Sequence, residues 1–86
     1  MQCLALILIE HEFGDEAEKA LAGMGFRKLL ASEDKKLAFH LPYPAYAGMR
    51  DGESLEQVRE AIMKDLKSRD LCAFVLITES FACGRV

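Results

Sequence analysis

Three features of the sequence predict an α+β domain with two helices on one face of an antiparallel sheet. Continuous apolar runs lie near both ends of the chain, two stretches carry apolar residues at helical spacing, and an alternating hairpin sits between them. At 86 residues there is room for one domain, 1–86, with one core. Hydrophobic residues make up 51% and charged residues 29%, the balance of a globular chain rather than a disordered one.

The elements follow in order. Cys3 to Ile9 (CLALILI) is an apolar run of strand length bounded by charge. After a polar turn with Gly14, Ala17, Ala20, Leu21 and Met24 recur at helical spacing. Asp15, Glu16 and Glu18 favour the positive end of that helix dipole, and Gly25 offers a left-handed stop, so the first helix is expected over 15–24. Phe26 to Ala31 reads as a second strand and Lys36 to Leu41 as a third, joined through Ser32-Glu33-Asp34 as a hairpin. Pro42 and Pro44 interrupt the pattern, and Tyr43 to Met49 either extends the third strand past a kink or forms a loop. Ser54-Leu55-Glu56-Gln57 is a capping box, and Leu55, Val58, Ile62 and Leu66 line one face of a second helix over 55–68. Cys72 to Thr78 (CAFVLIT) is the last strand. Right-handed crossovers in both βαβ halves then predict a ferredoxin-like βαββαβ fold, with a four-stranded sheet in the order 4-1-3-2.

A sheet covered on one face should alternate apolar and polar residues, and the first and last strands do not. In the first, Leu4, Leu6 and Leu8 oppose Cys3, Ala5, Ile7 and Ile9; in the last, Phe74 and Leu76 oppose Ala73, Val75 and Ile77. Whichever set lies beneath the helices, the other forms an apolar open face that calls for a cover. Ile7, Ile9, Val75 and Ile77 are the expected binding face, with Tyr43, Tyr46 and Arg50 from the 42–53 loop beside them. The expected cover is a second copy of the chain, with another protein as the alternative. A tail or loop folding over the face from within the chain is the purely structural reading.

Eleven Lys and Arg against fourteen Asp and Glu give a net charge of −3, which argues against a protein whose main work is gripping many phosphates. RNA contact is therefore possible but not favoured. Arg27, Lys28 and Arg50, with Tyr43 and Tyr46 as stacking surfaces, form the one candidate RNA patch. The apolar run Leu4 to Ile9 is too short to span a bilayer and lacks a preceding basic region, so no membrane association and a cytoplasmic location are expected. Cys3, Cys72 and Cys83 show no CxxC spacing and are expected to be buried, reduced thiols, although Cys83 is placed to approach Cys3. No metal and no cofactor are expected. The two histidines fall at opposite ends of the predicted sheet: His11 among Glu10, Glu12 and Asp15, and His40 beside Tyr43, Tyr46 and Arg50. A histidine titrating near neutrality is the natural proton carrier, which makes His40, with Arg50, the candidate catalytic pair of a ribonuclease.

The segments GFRKLL (25–30), Leu41-Pro42, Tyr46 with Gly48, and SLEQVREAI (54–62) resemble small ferredoxin-like bacterial proteins around the antitoxin endoribonuclease GhoS. The resemblance implies cleavage of a toxin message, with no catalytic signature to transfer. From the residues themselves the leading expectation is a small, non-catalytic regulatory module working by protein–protein contact, like an antitoxin or a phage-type inhibitor of a nuclease or defence complex. The alternative is a GhoS-like endoribonuclease using His40 and Arg50.

Overall fold

The computed structural model describes residues 1–10, 14–31, 38–42 and 44–82. The elements are β1 (Gln2–Ile9), α1 (Gly14–Gly23), β2 (Leu29–Ala31), β3 (Ala38–His40), β4 (Ala45–Asp51), α2 (Leu55–Ser68) and β5 (Ala73–Thr78).

The helices form where the sequence asks for them, and their ends show why. In α2, the Ser54 side chain accepts from the Gln57 amide at 3.0 Å, and Gln57 Oε1 accepts from the Glu53 amide at 2.6 Å. Val58, Ile62 and Leu66 are its buried stripe. At the far end of α1, the Gly25 amide bonds Ala22 O and the Phe26 amide bonds Leu21 O, with Gly25 at φ +90. This paired closure needs a left-handed residue, which glycine supplies without a Cβ penalty. It also delivers Phe26 into the core beside Leu21, both almost fully buried.

The expected four-stranded sheet in the order 4-1-3-2 is not formed. A three-stranded antiparallel sheet has the order β4-β1-β5, and β2 and β3 make a separate two-stranded sheet. The difference comes from 45–51. After Pro42 and Pro44 the chain forms a strand of its own, and this strand, not the third predicted one, takes the side of β1 away from β5. Its register runs from Gln2↔Asp51 to Leu8↔Ala45, and the Ile9 amide continues it to Pro44 O at 3.1 Å. The hairpin is left with three paired positions, Leu29↔His40, Leu30↔Phe39 and Ala31↔Ala38. It meets the main sheet at one bridge, Arg27↔Ala47, closed by hydrogen bonds of 2.9 and 2.8 Å. The expected strand positions Lys36 and Leu37 lie outside the described residues.

The core fills the space between the helices and one face of the main sheet. Cys3, Ala5, Ile7 and Ile9 from β1 join Leu21, Met24, Phe26, Tyr46, Val58, Ile62 and Leu66, with Val75 and Ile77 packed against them. Among the described residues, no helix is long and apolar enough to cross a membrane.

Candidate functional site

β1 is apolar on both faces, so its surroundings decide which face the helices cover. The covered side carries small groups where the packing is tightest: Cys3, Ala5, and Gly48 opposite Ala5 on β4. A Cβ at Gly48 would stand 2.7 Å from Phe26 Cδ1 and 2.8 Å from Gly25 O. The leucine side, with Ala47 and Ala45 opposite Leu6 and Leu8, lies away from the helices and is the open face.

That open face is the candidate site. Leu4, Leu6 and Leu8 run down its centre, with Met49 opposite Leu4 on β4 and Leu76 and Phe74 opposite Leu6 and Leu8 on β5. Phe74 is 55% exposed, and Leu76 and Met49 are each 48% exposed. Leu6 and Leu8 are half-buried between them, while Leu4 is buried. Directly opposed residues on an antiparallel pair point the same way, so these side chains form one continuous apolar strip. Proteins seldom leave such a strip to water without a use for it.

The expected binding set is therefore corrected. Ile7 is fully buried and Ile9 is 6% exposed, both in the core beneath the helices. Val75 and Ile77 are half-buried against the same core. Alternation separates the two sets but not which of them faces the helices.

The polar candidates do not converge. Arg50 lies on β4 opposite Cys3. Its Nη1 donates to Met49 O at 2.9 Å, its Nη2 donates to Met24 O, and its guanidinium carbon sits 4.3 Å from the centroid of the Phe26 ring. The group is thus held at the end of α1. His40 is exposed on β3 in the other sheet, opposite Leu29. From the Arg27↔Ala47 bridge, β4 runs on to Arg50 beside Met24, whereas β2 runs the opposite way toward Leu29 and His40. The bridge separates the two residues, and the structure does not bring them together as a catalytic pair.

Tyr46 is buried on the core side opposite Ile7, which removes it as a stacking surface for a base. Lys28 Nζ lies 5.5 Å from the Tyr46 ring centroid and 3.6 Å from Glu18 Oε1, so it too serves the fold. Tyr43, His11 and Cys83 lie outside the described residues. Cys3 is buried as expected, its thiol 3.5 Å from Arg50 O; Cys72 is exposed, contrary to expectation. Cys72 shares the exposed side of the ladder with Phe74 and Leu76, at the rim of a cleft between α2 and the sheet. Among the described residues, no cluster of His, Cys, Asp and Glu is arranged to hold a metal ion.

A second feature lies on the flank of the domain. An open cleft of about 640 Å³ runs between α2 and the start of β5, lined by Glu60, Met63, Lys64 and Lys67 on the helix and by Leu71 and Ala73 on the strand side. β5 closes one side of the sheet, and its outer edge has no neighbouring strand among the described residues.

No family model, no curated protein and no solved structure matches this chain. The functional reading therefore rests on the arrangement of its own side chains.

Proposed function

We infer that the protein is a small, non-catalytic regulatory module that works by protein–protein contact through the open leucine face of its sheet. The observation that supports this is the exposure of Leu76 and Phe74 opposite Leu6 and Leu8, and of Met49 opposite Leu4, in one strip free of charged side chains. Burying such side chains against a partner is worth about 25 cal/mol per Å² removed from water before the costs of association. Aromatic and methionine side chains are enriched in protein interfaces over the rest of the surface. The net charge of −3 suits a basic partner surface, such as that of a nuclease, at the rim.

Photo-crosslinking tests the reading. A benzophenone side chain placed at Phe74 in living cells is expected to give a discrete adduct with a protein other than this chain, and the same group at the exposed, helix-borne Glu56 is expected to give none. Absence of a position-74 adduct would overturn it.

A further inference from the structure

We propose that the outer edge of β5, together with the α2 cleft beside it, is a self-association seam that joins two copies of this chain about a two-fold axis through Val75. The seam is a different surface from the leucine face, and it deepens the binding-module reading by doubling that face on one continuous sheet.

The backbone dictates the first part. The Glu10 amide bonds Cys72 O at 3.1 Å, which fixes 10↔72 as a hydrogen-bonded pair of the β1–β5 ladder. Such pairs recur every second residue, so Phe74, Leu76 and Thr78 spend their amides and carbonyls on β1. Ala73, Val75 and Ile77 consequently aim theirs outward, at the edge that has no neighbouring strand among the described residues. Proteins blunt such an edge with lysine, proline or a bulge. Ala73–Thr78 (AFVLIT) contains neither lysine nor proline and no charge at all.

A two-fold axis restricts the register. Opposed residues must share a face, so β5 can meet its copy only with residues of like parity across from one another. Placing Val75 opposite Val75 sets Ala73 against Ile77 of the copy, and each outward residue then both donates and accepts a bond. It also pairs Phe74 with Leu76 of the copy on the leucine face, extending that strip without a break.

The cleft supplies the second part. Ala73 lines it, so the Ile77 side chain of the copy arrives at its mouth, against Met63 and Leu71. Met63 is otherwise 47% exposed. The charges agree as well. The same register carries Glu79 of the copy to Leu71, whose neighbour across the cleft is Lys67. Two antiparallel copies of α2 also set the Glu60 end of one against the Lys67 end of the other. A second copy thus meets hydrogen-bonding, apolar and charged complements at once, as an isologous interface requires.

Sedimentation velocity at micromolar concentration is expected to find a dimer. Val75→Pro removes an outward amide that β1 does not use, so circular dichroism should stay native. Symmetry deletes the bond twice, and dimerisation should weaken by roughly a hundredfold. Oxidation provides a readout independent of that variant. With Cys72 and Cys83 replaced by serine, Val75→Cys should crosslink to itself and Glu56→Cys should not. A monomeric wild type overturns the seam, as does a dimer that survives Val75→Pro or fails to crosslink at 75. Met49→Lys, on β4 across the sheet from the β5 edge, distinguishes the two proposals: it should abolish adducts with other proteins on the leucine face while leaving the dimer in place.

Discussion

The guanidinium of Arg50 sits over the ring of Phe26, 4.3 Å from its centroid, while donating to the carbonyls of Met24 and Met49. One side chain thereby closes the C-terminal end of α1, covers an aromatic core residue and fastens both to β4. A planar, fixed fork of donors suits this task and an ammonium does not. Arg50→Ala is expected to destabilise the fold by about 1–2 kcal/mol, from a partly desolvated cation–π contact and the lost carbonyl bonds. Arg50→Lys should recover less than half of that. Urea denaturation followed by circular dichroism measures both, and a neutral Arg50→Ala would show that the contact carries no weight.

Gly48 makes the same corner possible from the strand side. Its missing side chain leaves room for Phe26 Cδ1 and Gly25 O, both under 3 Å from where a Cβ would stand. One of those neighbours is backbone, which cannot step aside like the tip of a flexible chain. Gly48→Ala should therefore cost about 2–3 kcal/mol through overpacking. The drop in thermal midpoint should be several degrees for a domain of this size. Gly23→Ala, where nothing stands within 4 Å of the added carbon, is the control and should be neutral or mildly stabilising.

What the sequence made legible was local, and what it hid was a choice between two strands for one place. The span of α2 could be read because Ser54, Gln57 and the Val58-Ile62-Leu66 stripe act within one element. The sheet order could not, because two segments competed for the same side of β1. The expected third strand, 36–41, has the alternating pattern, whereas 45–51 (AYAGMRD) has alanines and a glycine that read weakly as strand. Of these, Gly48 is what permits it to lie beneath Phe26, so tertiary packing overrode propensity. The choice of open face was hidden for a related reason: Leu and Ile on opposite sides of β1 are equally apolar. Their neighbours on β4 do not separate them by size either, with Tyr46 and Gly48 on one side and Ala45 and Ala47 on the other.

That asymmetry of faces is itself measurable. Ile7 and Leu6 are adjacent on β1, yet Ile7 is fully buried whereas Leu6 pairs with the half-exposed Leu76. Ile7→Ala should cost about 3–4 kcal/mol, the transfer loss plus an unfilled cavity. Leu76→Ala should cost under about 1 kcal/mol, since much of that side chain stays wet in the isolated chain. Equal losses at the two positions in chemical denaturation would mean that the leucine face is covered from within the molecule, and the protein-contact reading would fail with it.

Asp70 sits at the left-handed position that ends α2, with φ 58, where the Leu71 amide bonds Leu66 O and the Asp70 amide bonds Lys67 O. The closure matches the one at Gly25, but here it is built on a residue with a Cβ, which is strained in this conformation. A carboxylate in this place also faces the negative end of the helix dipole. Both effects act in the same direction, so Asp70→Gly should stabilise the fold by about 1 kcal/mol, partly offset by the greater freedom of glycine in the unfolded chain. Asp70→Asn separates the two contributions, because it removes the charge and keeps a side chain that tolerates the left-handed region. If Asn recovers the whole gain, the dipole accounts for it; if Asn recovers little, backbone strain does. A loss of stability with glycine would show that the Asp70 side chain contributes more to the closure than its conformation costs.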